Sequence, residues 1–505
     1  PGMPRQGNPG ARTRSGVGPR GLAMPHTETL ASLLPATPTA LAGIALQGIE
    51  TDTRRLRPGM LYVGLNTSHG DGRQFLQQAW AAGAGAALLE GGEESTYTEQ
   101  GHPVWQSPQA RALLGRALRR WHRWDAGQAP VIIGVTGTNG KSSVTRLIAE
   151  LAPQPAMIIG TLGYGRVDAL ISQVNTTPDP VPLWQTLATL RDQGAKVIAM
   201  EVSSHALALE RVAAVPFSVA VFTNLSRDHL DFHGDMAHYG ATKARLFQTP
   251  GLQLAVVNSD DTFAGQIAAA VLPEVRQLRF GVKSGDYQAV EWHPGASGTL
   301  LDLHTPSGPR RLRSPLIGNS NIQNLLAALA TAEGMGWPVS DAAIAGLDLP
   351  EGRYQRLAPV PGKAQVMIDY AHTPDALQRV LTDLREVAKG AVTVVFGCGG
   401  DRDHGKRPEM GRVAERLADH VILTDDNPRS EAPEAIVNDI LDGMERPGQA
   451  TVIHDRAAAI RAAIIASQAG DWVLIAGKGH ERIQEILGQR LPFQDRSIAA
   501  EVLSA

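Results

Sequence analysis

A chain of 505 residues is too long for one hydrophobic core and predicts about three domains. Its 43% hydrophobic and 19% charged content is that of a globular protein, and a net charge of −3 argues against nucleic acid or an anionic membrane surface as a partner. The single cysteine, Cys398, excludes an intrachain disulfide and fits a reducing cytoplasm, and no apolar run reaches the roughly 18–20 residues that cross a bilayer, so no membrane insertion is expected.

Residues 1–23 are rich in Gly, Pro and Arg and lack the apolar region of a secretory signal, so a disordered tail or an over-long start is expected, with Met24 as first residue. Residues 24–128 form the first expected domain, mixing apolar runs at Met60–Leu65 and Gly85–Leu89 with two helical stretches. The second stretch, Ala110–Trp124, carries aromatics and arginines at helical spacing and leads to the boundary punctuation Gly127–Pro130. From 129 to 348, apolar strands alternate with helical segments: Val131–Val135, Met157–Gly160, Val197–Val202, Val219–Asn224 and Leu254–Asn258. These runs are apolar on both faces, as parallel strands covered by helices should be. Val282–Leu316 alternates and reads as a small antiparallel insert, followed by a helix over Ile322–Met335 that polar Asn319–Asn321 begin. The last segment, 349–505, repeats the alternation at Gln365–Asp369, Val392–Phe396, Val421–Thr424 and Trp472–Ala476, a second doubly wound α/β unit with its loops at the strand C-terminal ends.

Chemistry concentrates at those loops. Gly134–Ser143 follows a β-branched strand and precedes an amphipathic helix, the setting of a phosphate-binding loop. Gly137, Thr138, Asn139, Gly140, Lys141, Ser142 and Ser143 offer glycine-permitted backbone N–H groups at a helix N-terminus, a lysine for the outer phosphates and a hydroxyl for Mg²⁺. The spacing departs from GxxxxGK[ST], because Val135 stands at the first glycine position. Downstream, Glu201 ends an apolar strand beside this loop and is placed to ligate Mg²⁺, and the ionisable run Thr223–His233 makes His229 a candidate metal ligand and His233 a structural residue. Lys243, taken alone, reads as a surface helix lysine.

Nine stretches in order carry a resemblance: Thr51–Arg54, Gly137–Ser142, Asn175–Pro178, Met200–His205, Asn224–Asp231, Asp369–Asp375, Gly397–Asp403, Asp426–Arg429 and Gly477–Glu481. On these the chain resembles the Mur ligases, within them the UDP-N-acetylmuramoyl-tripeptide synthetases, which add the third residue of the peptidoglycan stem peptide. The resemblance implies three α/β domains: an N-terminal UDP-sugar-binding domain, a central P-loop parallel sheet and a C-terminal Rossmann-like domain. It implies an ATP- and Mg²⁺-dependent amide ligase, with the γ-phosphate converting a carboxylate to an acyl phosphate that an amine then attacks. The carboxylate would be the side-chain one of D-glutamate on UDP-MurNAc-L-Ala-D-Glu, in cytoplasmic cell-wall precursor synthesis.

By the same resemblance Lys243 would be carbamylated by CO₂, supplying an anion that Mg²⁺ accepts where an ammonium would repel it. Ser142, Glu201 and His229 would complete the metal shell, with Lys141 stabilising the transferring phosphoryl group. Thr53, Ser68, His69 and Gly70 match positions that hold the UDP end; Thr176, Thr177, Ser203 and Arg211 match those around the muramoyl peptide. Asn321 and Asp369 match positions near the adenosine and Arg353 one near ribose and phosphate, although Ser320 stands where the family usually has Phe. Asp426, Asn427, Pro428 and Arg429 match the form associated with meso-diaminopimelate, whose distal carboxylate Arg429 can fork onto. Arg402, Gly477 and Glu481 match the remaining contacts, with Glu481 meeting the distal ammonium. L-Lysine or L-ornithine remains the alternative amine. A monomer is expected.

Rival readings are a folylpolyglutamate synthase-like ligase, which leaves Thr51–Gly72 and Asp426–Arg429 unexplained, and a P-loop hydrolase or switch, which leaves the whole C-terminal set idle. An inactive scaffolding homologue predicts decay at the metal positions, yet Lys141, Ser142, Glu201, His229 and Lys243 are all present.

Overall fold

The structure, a computed structural model, describes residues 27–67, 70–127, 129–295 and 298–504. The expected tail 1–23, Met24, Ser68 and His69 lie outside the described residues. The chain divides into two compact units that part between Trp121 and His122.

The first unit is built on a five-stranded sheet in the order Ile49–Glu50, Leu61–Gly64, Ala86–Glu90, His102–Ser107, Ser95–Glu99. The first four strands run parallel and the last pairs antiparallel with its neighbour. Leu113, Leu114, Ala117 and Leu118 recur at helical spacing and are the buried stripe of helix Ala110–Trp121. That helix stops short of the expected Trp124. Arg123 and Trp124 already belong to the second unit: Arg123 turns into the left-handed region at φ 48°, and Trp124 packs edge-on against Trp184 of helix Pro180–Asp192 in the same unit, with ring centres 5.6 Å apart.

The second unit holds two large sheets. The first has eleven strands, with the phosphate-loop strand Val131–Thr136 between Val197–Glu201 and Phe217–Phe222. Pairing is parallel from Ala156–Gly160 across to Tyr287–Gly295. The chain leaves the central strand in one direction and returns on its other side, so the ligand crevice opens at the C-terminal ends of these strands. The alternating stretch does form antiparallel strands, Tyr287–Gly295, Gly298–Thr305 and Gly308–Ser314, but they extend the main sheet and are no separate insert. The reason lies in the pattern. Leu301, Leu303 and Leu312 all face one side and share a core with Leu325, Leu326 and Leu329 of helix Asn319–Gly334, which covers that side.

The second sheet has six strands in the order Gln355–Arg356, Gln365–Asp369, Trp472–Ala476, Val392–Phe396, His420–Leu423, Thr451–Val452, all parallel except the first pair. Its strands are apolar on both faces because helices cover both. Met367, Val394, Phe396 and Leu474 meet helices Pro374–Val387 and Lys406–Leu417; Val366, Ile368, Val395 and Ile475 meet helices Arg456–Ala466 and Asp495–Ser504.

Candidate active site

The strand Val131–Thr136 ends in a loop that only glycine can make at two points. Gly137 has φ 144° and a Cβ there would lie 1.9 Å from Thr223 Oγ1; Gly140 has φ 86° and would meet Asn324 Oδ1 at 2.6 Å. Thr223 and Asn224, at the end of the adjacent strand, hold the loop: Thr223 Oγ1 donates to Asn139 O at 2.6 Å, and Asn224 accepts Thr138 N and Asn139 N at 2.8 and 3.0 Å. In helix Lys141–Leu151 the first intrahelical bond is Val144 N to Gly140 O, so the N–H groups of Lys141, Ser142 and Ser143 precede the ladder and favour an anion.

Lys141 and Lys243 converge on one backbone oxygen. Both ammonium groups donate to Gly137 O at 2.9 Å, and Lys141 also donates to Thr138 O at 2.8 Å. Lys243 is 1% exposed and its Nζ lies 4.4 Å above the Tyr239 ring. Burial, and then the neighbouring Lys141, depress the Lys243 pKa well below the usual lysine value. Burial also lowers that of Lys141, with Glu201 and Asp228 opposing. The pair therefore favours a neutral amine at Lys243, the form that attacks an electrophile such as CO₂.

Glu201 is 2% exposed, and both its oxygens are engaged by Thr161, whose N donates at 2.8 Å and whose hydroxyl lies at 3.2 Å. Thr161 also meets Thr176 Oγ1 at 3.0 Å. Thr177 Oγ1 donates to Glu201 O at 2.9 Å and accepts from Ser203 N at 3.0 Å; Arg211 donates to Thr177 O at 3.2 Å and pairs with Asp179 at 3.0 Å. Thr176, Thr177, Ser203 and Arg211 thus form one cluster at the Glu201 strand end. Ser203 spends its hydroxyl capping the helix Ser204–Ala208.

His229 adopts φ 52°, a conformation that is uncommon outside glycine and that concentrates at functional sites. Burial, with Lys141 and Lys243 adding, outweighs Asp228 and lowers its pKa, which favours the neutral ring with its lone pair. The His233 ring is bound to Ser204 Oγ at 2.9 Å and packs on Tyr239, a structural role.

Two cavities join the sheets' C-terminal ends. One, the smaller, is lined by Asn139, Gly140 and Ser143 of the loop with Asn321, Arg353 and Asp369. Arg353 stacks over Tyr370 at 4.5 Å, and its buried Nε has no hydrogen-bond partner among the described residues, an orphan donor that a ligand oxygen would satisfy. Asp369 accepts Tyr354 N at 2.7 Å, and burial raises its pKa against the pull of Arg353. Asn321, fully buried, donates to Ile317 O at 3.0 Å and fixes the start of helix Asn319–Gly334. The other, larger cavity brings His229 together with Arg402, Asp426, Arg429, Gly477 and Glu481, and Asn427 lines it too. Arg429, at φ 55°, rests its guanidinium on Gly400 O at 2.6 Å and near Glu485 at 3.6 Å; Arg402 touches Asp401 O at 3.3 Å. Pro428 presents its carbonyl to Gly400, leaving no space there for a Cβ. Burial raises the Asp426 pKa, with Arg456 and Lys478 opposing.

Thr53 and Gly70 belong to the first unit, where Thr53 Oγ1 donates to Gln78 at 3.2 Å and Gly70, at φ 143°, bridges to Thr67. Sequence reading did not single out Thr161, Tyr239, Tyr370, Asp375 or Lys478. Tyr370, Asp375 and Lys478 sit inside quoted motifs, which was the available signal; Thr161 carries none.

As a metal set, the Ser142 hydroxyl, Glu201 carboxylate and neutral His229 ring suit a hard divalent cation. Lys243 as an ammonium does not, and fits only with an added carboxyl group. Among the described residues no three His, Cys, Asp or Glu side chains converge for a metal ion. A cation here therefore needs ligands beyond those residue types, such as phosphate oxygens.

Comparison with known proteins agrees with this geometry. Residues 135–332 match the Mur ligase middle domain and residues 352–479 the Mur ligase, glutamate ligase domain. The UDP-N-acetylmuramoyl-L-alanyl-D-glutamate--2,6-diaminopimelate ligase of Xanthomonas campestris pv. campestris (strain 8004) is 44% identical over 490 residues, 95% of this chain and 98% of its own. The protein of that name from Chromobacterium violaceum is 42% identical over 484 residues, 92% of this chain and 95% of its own. A solved structure of a ligase of the same name aligns with TM-score 0.71 at 35% identity, covering 95% of this chain and 99% of that one. A folylpolyglutamate synthase of Mycobacterium tuberculosis aligns with TM-score 0.59 over 72% of this chain and 92% of its own, but at 19% identity that likeness is one of fold. With relatives this similar along nearly its whole length, and two α/β sheets meeting over a phosphate loop, the chain belongs to the Mur ligase family.

Proposed function

We propose that the chain is an ATP-dependent amide ligase that joins meso-diaminopimelate to UDP-MurNAc-L-Ala-D-Glu in cytoplasmic peptidoglycan precursor synthesis. The observation that carries this reading is the large cleft, where His229 from the phosphate-loop side faces Arg402, Asp426, Arg429 and Glu481. An amine that carries carboxylates and ammonium groups finds complements for both on one wall, beside the groups that handle phosphate.

ATP occupies the smaller cavity, with Asn139, Gly140, Lys141 and Ser143 around its phosphates and Asn321, Arg353 and Asp369 toward the nucleoside. The D-glutamyl side-chain carboxylate attacks the γ-phosphorus and ADP leaves, giving an acyl phosphate. The amine then adds to the acyl carbon, inorganic phosphate departs and a proton is lost, leaving the amide. Lys141 releases its hold on Gly137 O and Thr138 O and turns to the transferring phosphoryl oxygens, neutralising the charge that builds there. Ser142, Glu201 and His229 would hold Mg²⁺, which when bound would supply Lewis-acid charge stabilisation. Lys243, whose burial beside Lys141 lowers its pKa, would add to CO₂ with loss of a proton, and the carbamate would offer this cation an anionic oxygen. Thr161 aims Glu201, and Tyr239 lies beneath Lys243. Thr53, Ser68, His69 and Gly70 take the UDP end, and Thr176, Thr177, Ser203 and Arg211 the muramoyl peptide. Residues 24–128, 129–348 and 349–505 then serve the nucleotide sugar, ATP and the amine in turn.

Phosphate release from ATP and Mg²⁺, followed with each substrate omitted in turn, tests the reading. Sustained release that needs both the UDP-dipeptide and the amine is expected; release that needs neither would favour a P-loop hydrolase.

A further inference from the structure

The turn Gly477–Glu481 follows the strand Trp472–Ala476 and carries a lysine with no part in the scheme above. Lys478 is 0% exposed, and its Nζ donates to Asn427 Oδ1 and to Glu481 Oε2, each at 2.9 Å. Asn427 Nδ2 closes the ring by donating to the same Glu481 Oε2 at 2.9 Å, while Asn427 Oδ1 also accepts Glu485 N at 3.0 Å. These bonds settle the amide's orientation, since its oxygen meets two donors and its nitrogen meets a carboxylate. They also turn Asn427 inward, so that it braces Glu481.

An ammonium in the interior is costly unless paired, and an apolar side chain of similar length would fill the same space without that penalty. The charge at Lys478 is therefore explained by what it does to Glu481. Resting on the ligase reading, we propose that Lys478 is a positioning residue: through Asn427 and Oε2 it holds the Glu481 carboxylate anionic and fixed, with Oε1 left for the ammonium of the amine substrate.

The electrostatics agree with the geometry. Burial alone would raise the Glu481 pKa, but Lys478, then Asn427, outweigh it and keep the group below the ordinary glutamate value. The other ionisable groups around Glu481 are His480 on its own turn, Asp426 after the strand His420–Leu423, Tyr370 after Gln365–Asp369, and Arg456 at the start of its helix. Arg456 is already committed to Asp495 at 2.7 Å, and Asp426 repels, so Lys478 is the cation that Glu481 depends on.

The test is steady-state kinetics of the full-length wild type, Lys478→Met, Glu481→Gln and the double variant. Meso-diaminopimelate is varied across pH with ATP and UDP-dipeptide saturating. Lys478→Met should raise KM for diaminopimelate by roughly 10- to 100-fold, the worth of one charge-assisted hydrogen bond. KM for ATP and for the dipeptide should stay unchanged, and the acid limb of kcat/KM for the amine should move to higher pH as Glu481 loses its counter-charge. In the Glu481→Gln background, adding Lys478→Met should cost little more, because the two act as one unit. The double variant leaves no uncompensated charge of this pair buried, so it carries the test even if Lys478→Met folds poorly. An unchanged KM and acid limb in Lys478→Met, a parallel rise in all three KM values, or additivity in the cycle would overturn the proposal. A wild type that makes no product with any diamino acid would overturn the ligase reading, and this proposal with it.

Discussion

Two lysines aimed at one carbonyl are an arrangement that cannot hold two full charges. Lys141, half-buried, and Lys243, buried, share Gly137 O, and the stronger depression falls on Lys243, because Lys141 disfavours its charge whereas Glu201 supports that of Lys141. Replacing Lys243 by Ala should lower turnover by about 10²–10³-fold, the scale of one lost electrostatic contact in a closed site. Short carboxylates such as acetate should restore part of that activity. Near-normal turnover without rescue would sink the carbamate. Arg353→Ala, which removes the stack on Tyr370 and the orphan Nε, should raise KM for ATP by about tenfold and leave KM for the amine alone. At this scale the sequence pointed to candidate groups but not to the residues that support them. Lys141, Glu201 and His229 stand out because polar residues end apolar strands. Thr161 reaches Glu201 across 40 positions of sequence, and a lone threonine carries no mark of that bond.

At the scale of elements, runs apolar on both faces gave the parallel strands almost to the residue, as at Gln365–Asp369, Val392–Phe396 and Trp472–Ala476. What the pattern did not disclose was which sheet an alternating strand joins. The stretch after Val282 extends the main sheet because helix Asn319–Gly334 covers its apolar face, a tertiary fact. Helices Arg456–Ala466 and Asp495–Ser504 are locked by Arg456 and Asp495, both 0% exposed and bonded at 2.7 and 2.9 Å. Asp495→Ala leaves that guanidinium buried without its partner and should cost about 3–5 kcal/mol in urea unfolding. Arg407, equally buried, holds Glu431 at 2.9 Å and its pKa near 2, below the ordinary 4.5. A depressed carboxylate stabilises the fold fully above 4.5 and ceases to do so as pH falls toward about 2. Glu431→Gln should therefore unfold more readily than wild type at neutral pH. The gap should narrow in acid, and a gap constant with pH would refute the pairing.

Over the whole molecule, the site is assembled where two sheets meet. Asp375, at the start of helix Pro374–Val387, accepts Asn139 Nδ2 and Ser226 Oγ, each at 2.9 Å, tying the phosphate loop to the sheet that carries Arg353, Asp369 and Arg429. The two bonds couple the phosphate loop to the sheet on which the amine site is proposed. The proposed division of labour rests on nine ordered motifs, whereas the contacts between sheets were not legible, because Asn139 and Asp375 lie 236 positions apart. The central claim is the bond made and the amine chosen. The direct measurement is product mass after incubation with ATP, Mg²⁺ and UDP-MurNAc-L-Ala-D-Glu, offering meso-diaminopimelate, L-lysine and L-ornithine separately. The account predicts a UDP-MurNAc-tripeptide with diaminopimelate alone. Product with lysine or ornithine and none with diaminopimelate would contradict the Arg429 assignment, and no product with any of them, while ATP still binds, would contradict the ligase itself.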